Sequence, residues 1–162
     1  MTQAFSQQST FRETQSFPRW LLVLPLAPLL LVWTLTYFDR PSWLGLALTG
    51  FISLGVAALL ALSRLVTEVR DNGVYVRFAP FQSKFQRIAF TEIVSATARE
   101  YSAIGEYGGW GIRYGLGGVG RAYNTSGNQG VQLVFKDGRK LLIGSQRAKE
   151  LAELIQLNLN SR

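Results

Sequence analysis

The 162-residue chain contains no cysteine, no histidine and a single methionine. Without cysteine there is no disulfide framework and no thiolate chemistry. Without histidine a zinc site would rest on carboxylates alone, which zinc rarely accepts, and His-based general base catalysis and the Ser-His-Asp triad are excluded. The few carboxylates Glu92, Glu100, Glu106 and Asp137 fall on different expected loops and strands, each near a basic neighbour. No paired acid and base follows from them, so no enzyme activity and no cofactor are expected.

Charge is also missing from two long stretches, Leu21–Tyr37 and Trp43–Leu62. A bilayer core takes about 17–25 apolar residues in a helix, and both runs meet that length. They read as a two-helix transmembrane hairpin over residues 19–64. The first run is longer than a signal-peptide core, and Tyr37-Phe-Asp-Arg-Pro-Ser42 follows it where a small-residue cleavage site would stand. The hairpin is therefore expected to be retained. Pro25 and Pro28 should kink the first helix or shift its start. Gly45, Gly50 and Gly55 recur every five residues in the second, a spacing suited to packing against the first helix rather than to a GxxxG dimer face. No intramembrane charge signals transport.

Charge sets the expected orientation. Arg12 and Arg19 precede the first run, whereas Arg64, Arg70, Arg77, Lys84 and Arg87 follow the second; in the connecting loop Asp39 and Arg40 cancel. The positive-inside rule places both termini and the polar domain on the cytoplasmic side, or the equivalent side of an internal membrane such as a thylakoid. Trp20, Trp33, Tyr37, Phe38 and Trp43 stand where interfacial aromatics prefer to lie.

Residues 1–18, rich in Gln, Ser and Thr, read as a disordered tail. After Leu65 the period changes to two. Val66–Arg70 and Val74–Phe78 flank Asp71-Asn-Gly73, a type I′ hairpin signal. Further strands are expected at Phe85–Phe90, Ile93–Arg99, Trp110–Tyr114, Arg121–Tyr123, Val131–Phe135 and Lys140–Ile143. Ala148, Leu151, Ala152, Leu154, Ile155 and Leu159 form a helical apolar stripe, with Gly144-Ser145 as its N-cap. The fold class is thus a membrane α-hairpin plus an α+β domain over residues 65–162. In that domain a bent antiparallel sheet of about seven strands is closed by a C-terminal helix.

That order resembles the pleckstrin-homology-like (PH-like) fold. More narrowly, the chain is similar to small, mostly uncharacterised bacterial proteins with two N-terminal spans and a cytoplasmic PH-like domain. Asn72-Gly-Val74, Phe90-Thr-Glu-Ile93, Gly109-Trp-Gly-Ile-Arg113, Gly127-Asn-Gln-Gly-Val131 and Leu142-Ile-Gly-Ser145 carry the resemblance, which covers Leu21 to Leu159. The family implies an architecture and no catalytic residues. A photosystem I assembly factor of cyanobacteria and plastids has the same order of two spans and a soluble domain, which implies an assembly or scaffolding role.

Two features bear on contacts. Gly115-Leu-Gly-Gly-Val-Gly120 fits a dinucleotide-binding glycine pattern, but no helix follows it and no βαβ unit surrounds it, so it reads as a loop between strands. The wider segment Gly105–Gly120 holds eight glycines with Tyr107, Trp110, Arg113 and Tyr114 among them. Aromatics and Arg are enriched at interface hot spots, so these four are candidate contacts to a partner or lipid. The competing reading puts Trp110 and Ile112 in the core. From Arg64 onward fourteen cations face eight carboxylates, a balance of +6. Arg77, Lys84, Arg87, Lys136, Arg139 and Lys140 could grip phosphate, with Lys84 and Arg87 the nearest to a headgroup site. PH-like domains often bind phosphoinositides through a basic first hairpin loop, but that loop here is Asp71-Asn-Gly. The scattered basic residues form no dense run, and nucleic acid is not an expected partner.

The expected function is a non-enzymatic membrane-anchored adaptor, an accessory subunit or assembly factor of a larger membrane protein complex. The alternative is an anionic lipid-headgroup binding module. Partners are then the bilayer, another membrane protein or complex, and for either reading a second copy of the chain.

Overall fold

A computed structural model describes residues 10–38, 43–115 and 117–161. The chain divides into two compact units: Ser16–Ser63 forms one, and the segment ending at Gln15 joins Arg64–Arg162 in the other.

The apolar unit begins with a 3-10 turn, Arg19–Leu22, followed by helix α1 (Leu26–Phe38) and helix α2 (Trp43–Leu62). Helix α2 has 20 residues and no charge, long and apolar enough to cross a membrane. Helix α1 has 13 residues, about 20 Å at 1.5 Å per residue, and falls short of the hydrocarbon thickness by itself. The expected continuous first span is therefore not one helix. Pro25 has no N–H to give, and the backbone before it closes in three-residue turns, with Val23 N bonded to Trp20 O and Leu26 N to Val23 O. The prolines do shift the helix start, to Leu26. Helices α1 and α2 pack together. A Cβ on Gly50 would meet Leu29 Cδ1 at an ordinary 3.8 Å, and one on Gly55 would meet nothing within 4 Å, so neither of these two positions requires glycine. Thr34 and Thr49 donate their hydroxyls to the carbonyls of Leu31 and Gly45, at 2.8 Å each, which satisfies both hydroxyls within their own helices. The loop residues Asp39–Ser42 lie outside the described residues.

The second unit is an α+β domain with two sheets and a C-terminal helix. The first sheet has the order β1 (Phe11–Ser16), β2 (Arg64–Arg70), β3 (Gly73–Ala79) and β4 (Gln86–Ala89). The strand β1 corrects the expected 18-residue tail, of which residues 1–9 lie outside the described residues. Thr10 N bonds Val69 O at 2.9 Å, and Phe11 and Gln15 are buried on one face. The inward positions alternate as a strand requires, but two of them are the polar Glu13 and Gln15, whose hydrogen bonds take the place of apolar burial. Gln15 Nε2 donates to Gly144 O at 2.9 Å.

The hairpin of β2 and β3 pairs Arg70 with Gly73 across Asp71-Asn72. No described non-glycine residue has positive φ, so the turn is not the expected type I′, which needs positive φ at both central positions. Gly73 serves a different purpose: a Cβ there would sit 2.3 Å from Ile88 O on β4. Only glycine lets the two strands approach.

The second sheet has the order β5 (Ile93–Glu100), β8 (Gln129–Phe135), β9 (Lys140–Gly144), β7 (Arg121–Asn124) and β6 (Gly111–Tyr114). A five-residue helix α3 (Ala103–Tyr107) precedes β6. All pairs here are antiparallel except β7 with β9, which is parallel. Among the described residues nine strands in two sheets, one pair of them parallel, replace the single antiparallel sheet of about seven. Helix α4 (Ala148–Asn160) lies mainly on β5 and β8 and buries Ala148, Leu151, Ala152 and Ile155. Its N-cap is Arg147, not Ser145, whose hydroxyl instead accepts from Arg147 N at 3.0 Å.

Candidate functional site

The strand β4 at the end of one sheet and the β6–β7 hairpin at the end of the other bring side chains far apart in sequence together. Tyr123 makes the link. Its ring is buried on β7, and its hydroxyl donates to Gln86 Oε1 on β4 at 2.5 Å while accepting from Gln82 Nε2 at 3.3 Å. Beside this strut opens a cleft of about 450 Å³, lined by residues of β4, the β6–β7 loop and the β8–β9 turn.

The loop between β6 and β7 is the glycine-rich stretch. Gly115 N bonds Gly120 O at 2.7 Å and closes a tight hairpin, with Leu116 outside the described residues. This is a strand-to-strand turn, not the strand-to-helix junction of a dinucleotide site. Gly120 has φ +88°, and a Cβ on it would sit 2.1 Å from Lys140 O. The loop can lie against β9 only because that atom is missing.

The lining is apolar below and basic above. Ile88, Phe135 and Leu141 are buried beneath it, and Arg87, Arg121, Arg139 and Lys140 surround it with the single carboxylate Glu92. Arg139 is paired with Asp137 at 2.6 Å, and this guanidinium holds the Asp137 carboxyl below the usual carboxylate range. Arg121 is stacked, its guanidinium carbon 4.8 Å from the Tyr123 ring centroid and 5.5 Å from that of Tyr114. Its Nε is buried and makes no hydrogen bond among the described residues. Arg87 and Lys140 have no ion-pair partner among the described residues.

The residues singled out in the sequence separate into groups. Arg87 and Tyr114 come together in the cleft. Arg113 is exposed beside it on β6, its Nε donating to Trp110 O at 2.8 Å. Lys84 is exposed in the turn before β4 and does not line the cleft. Tyr107 is corrected outright: it is 3% exposed, sits edge-on to Tyr101 and accepts a hydrogen bond from Arg99 at 3.1 Å. It is a core residue because α3 turns it inward against Ala122 and Leu142. Trp110 is half-buried against the same cluster, so its ring is largely occupied by packing. Arg77 stacks on Phe85, 4.8 Å from its centroid.

Arg121 was not singled out by its sequence context. Only the alternation Arg121-Ala-Tyr123, with Ala122 buried between, hints that Arg and Tyr share a face. Among the described residues no three carboxylates gather where a metal could be held.

No protein-family model matches this chain, and no curated protein sequence matches it.

Proposed function

We propose that the chain is a non-enzymatic adaptor, anchored in a membrane by a two-pass hairpin, that serves a larger membrane protein complex as accessory subunit or assembly factor. Its domain is read as PH-like: β2–β3–β4, then β5, β8 and β9, then the closing helix α4, with residues 101–128 as an insertion that adds α3, β6 and β7.

The observation that carries this reading is that β1 and β2 are neighbours in one sheet although the whole apolar unit lies between them in sequence. Both ends of that unit must then lie on the same side of any membrane. A chain that crossed once, through α2 alone, would separate two hydrogen-bonded strands. The positive-inside pattern makes that side the cytoplasmic one. Two residues separate β1 from the first turn of the apolar unit, and one separates α2 from β2. Tethers this short suit a domain that works at a bilayer surface, with other membrane proteins as its partners. Of the terminal strands in the two sheets, β6 pairs on its outer side with no other described strand and exposes Arg113 and Tyr114. An open edge with Arg and an aromatic is a docking surface for a strand or loop of a partner.

The test is mild detergent solubilisation of the native membrane, followed by native sizing and mass spectrometry of what co-migrates. A defined larger assembly that disperses in the double variant Arg113→Glu, Tyr114→Ala is expected. Migration of the chain alone, or only with copies of itself, overturns the reading.

A further inference from the structure

The cleft between β4 and the β6–β7 hairpin has a chemistry that the adaptor reading does not use. Three cations at its wall, Arg87, Arg121 and Lys140, have no carboxylate partner among the described residues, and Arg139 adds a fourth that Asp137 partly neutralises. Like charges gathered around a small cavity repel one another. A low-dielectric wall also concentrates their field at its mouth. An anion relieves the repulsion and is attracted by the focused field.

Arg121 narrows the class of anion. Stacking against Tyr114 and Tyr123 fixes the plane of its guanidinium and leaves the buried Nε without an acceptor. A planar fork held in this way suits two-point hydrogen bonding to phosphate oxygens, for which Arg is better shaped than Lys. The floor of Ile88 and Leu141 and the amide of Gln86 can receive an uncharged remainder with apolar and hydroxyl groups. The volume of about 450 Å³ falls in the range of small-ligand sites.

We propose that this cleft binds a phosphate-bearing ligand, its phosphate seated between Arg87, Arg121 and Lys140. The Asp71-Asn72 hairpin turn does not line the cleft. The same chemistry is offered by a phospholipid headgroup and by a soluble phosphorylated compound. The site does not depend on the adaptor role: it stands if the chain migrates alone.

The experiment uses the full chain in nanodiscs of phosphatidylcholine, titrated with inorganic pyrophosphate by calorimetry. Saturable one-to-one binding is expected, weakening as salt is raised. Arg121→Met and Arg87→Gln should each weaken it about tenfold, while Lys84→Gln leaves it unchanged. Arg87 is exposed, so its variant tests the site even if Arg121→Met disturbs the fold. A second arm distinguishes the source. In discs of mixed phosphatidylcholine and phosphatidylglycerol, native mass spectrometry reads the lipid that stays on the released chain. Retained phosphatidylglycerol that falls in both cleft variants identifies a headgroup. Equal lipid retention in all variants, with pyrophosphate binding that is saturable in the wild type and falls in both cleft variants, identifies a soluble phosphate compound. The absence of saturable pyrophosphate binding, or binding that neither cleft variant changes, overturns the proposal.

Discussion

The carboxylate of Glu13, on the first strand, accepts a hydrogen bond from the hydroxyl of Ser145, 132 residues later, at 2.5 Å. Its other oxygen accepts from Gln146 N at 2.9 Å. One side chain thus fastens β1 to the segment that leads into α4. Arg147 completes the clasp by stacking on Phe11, 4.7 Å from the ring centroid. Hydrogen bonds to a charged group contribute about 1.5–3 kcal/mol each. Glu13→Ala should therefore destabilise the domain by about 2 kcal/mol and raise hydrogen exchange in β1 before the other strands; thermal unfolding with exchange mass spectrometry reads both.

Acid should loosen α3. The Arg99 guanidinium, 2.7 Å from Glu106, holds that carboxyl below its ordinary 4.5, and the Ser102 N–H adds to the effect. A folded-state value lower than the unfolded one gives stability that is present above about 4.5 and lost as pH falls through the folded value. Unfolding midpoints followed from pH 6 downward should decline through this window. In Glu106→Gln the decline should be shallower and the neutral stability lower by about 1 kcal/mol, the usual worth of a helix cap.

Alkali acts at the neighbouring ring. Tyr101 is buried, and burial pushes its hydroxyl up to about 12 from 10.0, with Tyr107 adding to the shift and Asn124 and Arg99 opposing it. The raised value favours the neutral form in the fold. Its contribution is full below pH 10 and is lost as pH rises through 12. Tyrosinate absorbance should show a late step near pH 12 that is missing in Tyr101→Phe, and wild-type stability should drop over the same interval.

Gly120→Ala should be costly out of proportion to one methyl group. The added carbon would lie 2.1 Å from Lys140 O, at a φ of +88°. Strain at such a position costs about 1–3 kcal/mol, and a backbone clash adds to it. The expected result is a lower melting temperature together with loss of the parallel register between β7 and β9. Gly117→Ala, which would meet no atom within 4 Å, should carry only the conformational cost.

Much of this fold is legible in the chain. The strands β2 to β5, β8 and β9 announce themselves through Val, Ile, Leu and Phe recurring among polar residues near Asn-Gly and Asp-Gly signals, and β6 and β7 more faintly through Ile112, Tyr114 and Tyr123. The helix α4 carries its stripe at helical spacing. What stays hidden is what distance in sequence hides. The strand β1 has Glu13 and Gln15 facing inward, and nothing within its own six residues reveals that Gly144, Ser145 and Gln146 will satisfy them. The helix α3 is five residues long with Gly105 in the middle, too short and too flexible to show a period. The parallel pairing of β7 with β9 depends on the path of the intervening β8. The site divides in the same way. Arg87 and Tyr114 stand out by residue type, but they share a cleft only because Tyr123 ties β7 to β4. Tyr107, selected for the same reasons as Tyr114, is turned inward by α3.

The threading of the apolar segment between two adjacent strands has a consequence for proteolysis. A protease that cuts between Ser16 and Arg19 leaves the domain attached through Ser63, and a cut at Ser63 leaves it attached through Phe17 and Pro18. A single cleavage at either junction therefore leaves the domain joined to the apolar segment. Even after both, the liberated body consists of two polypeptides, a short N-terminal piece and a long C-terminal one, held together by the β1–β2 ladder and the grip of Glu13 on Ser145. A gene fragment that begins at Arg64 encodes only the longer of these and leaves the edge of β2 open to other chains.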